Sequence, residues 1–157
     1  MALADIREQI KVILSTVSGI GVIHEYKRWS NDWDDFLDKF KDENGIINTW
    51  MITRKATPNS THSQGSGEDT GTHHFKIIGI MGVEDSQATE LTFQDIIEEI
   101  RTKFRANDTL NSTCFSCVPV DDAPKVAGIQ VNDVDNRMFG SVLVHYCDLS
   151  LYAQETY

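Results

Sequence analysis

The sequence is poor in cysteine, in proline and in long apolar runs, and each shortage excludes a class of protein. Its 157 residues include only three cysteines and three prolines. A small, odd number of cysteines does not make a disulfide framework and is typical of a reducing compartment. No apolar run approaches the roughly 18 residues of a membrane helix, and the first residues lack the basic-then-apolar order of a signal peptide. We therefore expect a protein without a membrane segment that is made in the cytoplasm.

Basic residues are also scarce. The chain has 14 Lys and Arg residues against 24 Asp and Glu residues, which gives a formal net charge of -10. Proteins that bind nucleic acid do so largely by neutralising phosphates with Lys and Arg. We therefore expect this surface to repel DNA rather than to bind it.

The apolar residues that are present suffice for one domain, which we predict to span 1–157. Hydrophobic residues make up 40% of the chain, and their spacing predicts helices and strands in turn. The predicted order is a helix (3–17), a strand (20–26), a helix (29–40), two strands (46–54 and 74–83), a helix (86–104) and two more strands (126–134 and 140–152). This order predicts an α+β fold, with an antiparallel or mixed β-sheet of four to five strands covered by two to three helices.

Three local features refine this prediction. The run 74–83 is apolar on both faces, which is typical of a central strand. Asp85 and Ser86 are suitable N-cap residues for the helix that follows. The polar residues 135–137 are typical of a turn between the last two strands.

A long polar arm at about 55–72 separates the strands 46–54 and 74–83. It contains mainly Ser, Thr, Gly, Asn and charged residues, so it cannot bury enough apolar surface to offset its ordering entropy. So long a hairpin connection is uncommon unless it binds something. We expect Thr57, His62 and Glu68 to contact other subunits, because we expect them to be exposed without packing partners. A mobile surface loop without a role fits the composition equally well.

Cysteine and histidine suggest two weaker candidate sites. Cys114 and Cys117 have the spacing of half a zinc site, which His73 or its neighbour His74 could extend. No second pair of this kind is present, so we expect no metal and no cofactor. His145, Cys147 and Asp148 could form a catalytic cluster, but along one strand Asp148 points away from the other two. We therefore predict no catalytic residue and no enzyme activity.

Acidic residues cluster near the start of the second predicted helix. The cluster comprises Asp32, Asp34, Asp35 and Asp38. Converging carboxylates can bind a divalent cation, but a helix N-terminus favours negative charge in any case. We therefore interpret the cluster first as solvated helix-start residues.

Four segments together resemble a known family. They are GIGVIHEYKRW (19–29), INTWMITR (47–54), HHFKIIGIMGVEDSQATELTFQDIIEEI (73–100) and RMFGSVLVHYCDLSL (137–151). Together they resemble the small tail proteins of long-tailed bacteriophages and prophages. Within these, the chain is most similar to the tail terminator group, also described as tail completion or neck proteins.

The resemblance implies a structural protein of the virion. In that family a helix-covered sheet domain forms a homo-oligomeric ring, usually a hexamer, on the last ring of the tail tube. The ring stops tube polymerisation and offers a surface to the head-tail connector, and genomic DNA passes through its lumen without specific binding. The implied partners are further copies of the chain, the tail tube protein and the connector or stopper protein. The implied location is the tail-neck region of the virion, with assembly in the host cytoplasm.

The resemblance also suggests roles for residues already named. Some of Asp32, Asp34, Asp35 and Asp38 would face the lumen or a partner ring, and the arm would contact a neighbour. Three other functions stay open at this point. They are a head-tail joining or stopper protein, a small zinc-stabilised or metal-dependent domain that uses Cys114, Cys117 and a histidine, and an accessory domain that binds a cytosolic protein.

Overall fold

The computed structural model describes residues 3–28, 33–43, 45–57, 59–61, 69–114, 116–117, 128–139 and 142–156. Over these residues the chain forms three α-helices, one 3-10 turn and six β-strands. In chain order these are α1 (Leu3–Ser15), β1 (Val22–His24), α2 (Trp33–Phe40), β2 (Asn48–Ala56), β3 (Asn59–Thr61), β4 (Asp69–Gly82), the 3-10 turn (Asp85–Gln87), α3 (Thr89–Arg105), β5 (Gln130–Phe139) and β6 (Val142–Thr156). The predicted α+β class is confirmed.

All six strands belong to one mixed sheet. Five strands follow the order β1-β2-β4-β6-β5, and the short β3 pairs with the first residues of β4. β1 is parallel to β2, and every other pair is antiparallel. β4 lies between β2 and β6, which confirms the central strand predicted from its two apolar faces. Among the described strands, β1 and β5 are the two ends of the sheet.

α1 and α3 cover one face of the sheet. Their apolar stripes and the strand residues on that face form one large buried cluster, whose largest members include Ile6, Ile10, Leu14, Trp50, Phe75, Phe93, Ile100, Phe104 and Leu149. Burial of a side chain of this size stabilises the fold by roughly 1.5–3 kcal/mol. This cluster is therefore the main source of stability, and it holds α3 over the sheet.

The opposite face carries a smaller cluster. Phe40, at the end of α2, packs there with Met51, Ile78, Ile80 and Val144. The ring Nε2 of His24 in β1 lies 2.8 Å from the carbonyl oxygen of Lys39. α2 therefore covers the sheet near β1 and β2, on the face opposite α1 and α3.

α3 begins later than predicted. Asp85 and Ser86 belong to the 3-10 turn, and Ala88, the residue before α3, has a left-handed backbone with φ 52° and makes no side-chain capping bond. The capping role predicted for Asp85 and Ser86 is therefore wrong. The chain must change direction between β4 and α3, and the turn is held by the Glu84 N–H, which donates to the Thr89 hydroxyl at 2.9 Å.

The turn predicted at 135–137 is also wrong. These residues lie inside β5, where Asp135 pairs with Tyr146 and Arg137 pairs with Val144. β5 is the last strand of the sheet and most of its residues are exposed. Polar side chains cost little there, so turn-like composition does not end the strand.

The arm is shorter than predicted, because both of its ends belong to the sheet. β2 continues through Ala56, and β4 begins at Asp69. The second residue of β4, Thr70, is buried and pairs with Thr156 of β6. The prediction that 55–72 cannot pack is therefore wrong for these ends. Small polar residues are accepted because strand pairing on both sides satisfies their backbone groups. Residues 58 and 62–68 lie outside the described residues.

Candidate functional site

The root of the arm is held by a buried polar chain. His73 Nε2 lies 2.9 Å from Glu155 Oε2, and His73 Nδ1 lies 2.9 Å from Thr57 Oγ1. His73 and Glu155 are both buried. A carboxylate only accepts, so Nε2–H of His73 donates to Glu155, and the second hydrogen bond joins Nδ1 of His73 to the Thr57 hydroxyl. These hydrogen bonds link β4 and β6 to Thr57, the residue that follows β2.

The charge of Glu155 follows from these contacts. Burial raises the pKa of its carboxyl, but the hydrogen bond from His73 lowers it, and the pKa lies below its usual value. Glu155 is therefore a carboxylate at neutral pH. It acts here as an acceptor that orients the His73 ring.

The predicted arm contacts have different outcomes. Thr57 is half-buried and bonded to His73, so the expectation that it is exposed without a partner is wrong. His62 and Glu68 lie outside the described residues. Their contact with other subunits stays a prediction.

The candidate metal residues are only partly brought together. The sulfur atoms of Cys114 and Cys117 lie 3.9 Å apart, and both side chains are buried. His73, in contrast, has both ring nitrogens in the hydrogen bonds to Thr57 and Glu155. Among the described residues, no three His, Cys, Asp or Glu side chains converge as a metal site would require.

The cluster of His145, Cys147 and Asp148 divides between the two faces of β6. Cys147 is buried in the main core, and burial raises the pKa of its thiol to about 12. His145 contacts Thr89 and Asn136, at 2.9 and 3.0 Å, on the helix-covered side. Asp148 pairs with Lys76 at 2.7 Å on the other side. In these positions, the three side chains do not form a nucleophile with a neighbouring general base.

The acidic residues of α2 have unequal surroundings. Asp34 and Asp38 are exposed, whereas Asp35 forms an ion pair with Lys39 at 2.8 Å. Asp34 and Asp35 lie in the first turn of the helix, where the helix dipole favours negative charge. Asp32 lies outside the described residues. A lumen or partner-ring contact for this cluster stays a prediction.

A surface that sequence analysis missed lies at the β5 end of the sheet. Among the large apolar side chains exposed there, Val131, Val134, Met138 and Leu143 lie on the face that carries α3, and Met138 is 61% exposed. α3 covers β6 but leaves β5 uncovered. The only sequence signal was the recurrence of Val131, Val134 and Met138 within 130–139. The prediction of a turn at 135–137 divided this pattern.

A groove separates α3 from β5. It has a volume of about 330 Å³, and it is lined by Gln94, Ile97, Glu98, Arg101, Ile129, Gln130, Val131 and Val134. The floor is apolar and the α3 rim carries one acid and one base. Asp133 and Asp135 project from the opposite face of β5, and Asp133 lies 3.5 Å from Arg137.

The other end of the sheet differs in charge. β1 is followed by Glu25, which pairs with Lys11, and then by Tyr26, Lys27 and Arg28. Tyr26 is 58% exposed, and the guanidinium carbon of Arg28 lies 5.1 Å from the centre of its ring. One end of the sheet therefore presents an aromatic and basic segment, and the other presents an apolar groove with acidic residues.

No protein-family model matches the sequence, and no curated protein matches it. Among the described residues, no helix is long and apolar enough to cross a membrane. Function is therefore inferred from the two ends of the sheet and from the segment resemblance.

Proposed function

We propose that this chain is a tail terminator, a structural subunit that forms a ring on the end of a phage tail tube. The observation that carries the proposal is the pair of unlike surfaces at opposite ends of one sheet. A closed ring needs two different, complementary patches on each copy, because each subunit contacts its two neighbours through different surfaces. The basic aromatic segment and the β5 edge, with its apolar groove and its acids Asp133 and Asp135, are two such patches.

Charge supports the same role. The net charge of -10 and the exposed Asp34 and Asp38 suit a lumen through which DNA must slide without being held. On this proposal the ring caps the tube, stops its polymerisation and presents its other face to the head-tail connector. The arm contacts a neighbouring or tube subunit, and no cofactor takes part.

Disruption of the gene in its parent phage or prophage tests the proposal. Induced lysates are imaged by negative-stain electron microscopy, with the restored gene as control. Headless tubes of uncontrolled length are the result expected of a lost terminator. Tails of normal length beside filled heads would instead indicate a joining or stopper protein. Intact infectious particles would remove the chain from the tail.

One observation favours a second candidate, the zinc-stabilised domain. The sulfur atoms of Cys114 and Cys117 are close enough to share a metal ion, although no third ligand converges with them among the described residues. Elemental analysis of the purified chain decides this point. Stoichiometric zinc that is lost in a Cys114→Ser variant would favour the metal-stabilised domain.

A further inference from the structure

We propose that the segment 26–28 of one copy docks on the outer edge of β5, and in the groove beside it, on a second copy of this chain. The inference rests on the proposed function, because it names the contact by which the ring would close.

β5 offers a partner two kinds of contact. Its outer side pairs with no other described strand, so its backbone N–H and C=O groups can accept an added strand. Beside it, the floor of the groove is formed by Ile97, Ile129, Val131 and Val134. A groove of this kind accepts an aromatic anchor, which combines a large apolar surface with few rotatable bonds.

The segment 26–28 supplies such an anchor. Tyr26 has one of the most exposed large side chains among the described residues, and it follows β1 without a break in the described chain. The outer side of β1 also pairs with no other described strand. The open side of β1 and the segment after it can therefore continue the sheet of a second copy.

The side chains of β5 and those of the segment 26–28 each divide between two sides. In β5, Val131 and Val134 lie opposite Leu149 and Cys147 on the helix-covered face. Asp133 instead lies on the other face, opposite Asp148. The chain bends at 25–26, and the guanidinium carbon of Arg28 lies 5.1 Å from the centre of the Tyr26 ring, so these two side chains lie on the same side of the segment.

This alternation fixes the docked arrangement. When Tyr26 enters the groove, Arg28 lies on the same side, where Glu98 lines the α3 rim. Lys27 points to the other side, toward Asp133 and Asp135. Arg28 therefore approaches Glu98, which is also paired with Arg101, and Lys27 approaches Asp135 and Asp133, the latter also paired with Arg137.

The same charges favour a second copy in this orientation over other occupants. Acidic side chains on an edge strand oppose pairing with a like edge, so two antiparallel β5 strands centred on Asp135 would place the two Asp135 carboxylates together. The segment 26–28 is basic, and every copy carries it at the opposite end of the sheet. The contact can therefore repeat from copy to copy in one direction.

Cross-linking with a water-soluble carbodiimide tests the contact directly. This reagent joins a lysine amine to a carboxylate only where the two touch. In a mixture of unlabelled and nitrogen-15-labelled chains, we expect peptides of mixed label that join Lys27 to Asp133 or Asp135. Lys27→Arg is the matched control, because it keeps the charge but removes the amine. The inference is overturned if inter-chain links avoid Lys27 and β5, or if concentrated protein gives only links within one chain.

Charge reversal gives a second, independent test. One variant carries Lys27→Glu and Arg28→Glu, and the other carries Asp133→Lys and Asp135→Lys. We expect each alone to associate at least about tenfold more weakly than the parent, measured by sedimentation. Mixed together they restore association, because every contact between unlike variants again pairs acid with base. A chain that carries all four substitutions should also associate again, because its segment 26–28 is then acidic and its β5 edge is basic.

The outcomes separate this inference from the proposed function. If the first variant assembles alone as well as the parent, β5 pairs with itself or with another protein, and the inference is overturned. Circular dichroism of each variant tests whether the chain is still folded, so that a smaller sedimenting mass can be attributed to weaker association. If gene disruption leaves infectious particles intact, the proposed function fails whatever masses are found.

Discussion

Gly79 of β4 lies directly against the indole ring of Trp50 in β2. A methyl group added at Gly79 would lie 2.3 Å from Cζ3 of Trp50 and 2.7 Å from two further ring atoms. Trp50 in turn stacks on Phe93 of α3, with ring centres 5.6 Å apart. The absence of a side chain at one position therefore sets how closely α3 approaches the sheet.

Gly79→Ala should destabilise the fold by about 1–3 kcal/mol, because the added methyl group would overlap the Trp50 ring, which is fully buried and stacked on Phe93. The free energy of unfolding is measured in urea. Gly82→Ala is the matched control in the same strand, because its nearest neighbour would lie 3.7 Å away. Equal effects of the two substitutions would contradict this account of the core.

Glu155→Gln should cost about 1–3 kcal/mol at neutral pH, because it removes the negative charge from the buried acceptor of His73. The folded pKa of Glu155 is lowered below its ordinary value of 4.5, so the stability it contributes is present above that pH. This stability is lost as the pH falls through the folded pKa. Urea unfolding of parent and variant across acidic pH measures the difference. Glu25→Gln, which removes only an exposed pair with Lys11, should have little effect.

Cys147 should be unreactive in the native protein. Burial raises the pKa of its thiol to about 12, so little thiolate forms at mildly alkaline pH, and reagents cannot reach the sulfur. Alkylation followed by peptide mass spectrometry measures the rate at each cysteine. Thr92→Cys, which places a thiol on the exposed side of α3, is the reactive control. Rapid native labelling of Cys147 would contradict its burial.

Replacement of 62–68 by Asn-Gly should leave the fold intact but reduce incorporation into tails. Thr61 of β3 and Asp69 of β4 pair directly, so a two-residue turn can join them. Shortening a loop changes stability by roughly 1 kcal/mol or less. Complementation of the disrupted gene measures incorporation, and replacement by an equally long Gly-Ser segment separates length from sequence. Full complementation by both variants would remove the arm from assembly.

Asp34→Lys combined with Asp38→Lys should leave stability nearly unchanged but impair particle assembly. Both side chains are exposed, and the pair Asp35–Lys39 is kept. Exposed substitutions of this kind usually change stability by about 0.5 kcal/mol or less. Thermal unfolding and plaque counts measure the two effects. Asp5→Lys, on the exposed side of α1, is the control for an added positive charge.

The errors in the predicted fold share a physical cause. The residues 135–137 have turn composition, yet they form part of β5 because an exposed terminal strand accepts any polar side chain. The predicted arm at 55–72 includes Thr70 and ends just before His73. Both residues are buried, because β4 pairs with β6. In each case a distant strand, not the local residues, determined the outcome.

The same contrast between local and distant residues applies to the candidate site. The acids of α2 and the pair of Cys114 and Cys117 could be found from composition and spacing. The groove between α3 and β5 could not, because its lining comes from segments about thirty residues apart in sequence. The exposure of Tyr26 could not be found from the sequence either, because the burial of an aromatic ring depends on elements far from it in the chain.

The sequence by itself determined the α+β class, the buried stripes of α1 and α3, and the central position of β4. These follow from the spacing of apolar residues along the chain, which is a local property. Only the tertiary structure decided that β1 and β5 end the sheet, that Glu155 meets His73, and that unlike surfaces lie at opposite ends. Strand order depends on pairing between residues far apart in the chain, and the periodicity of one segment carries no information about its partner.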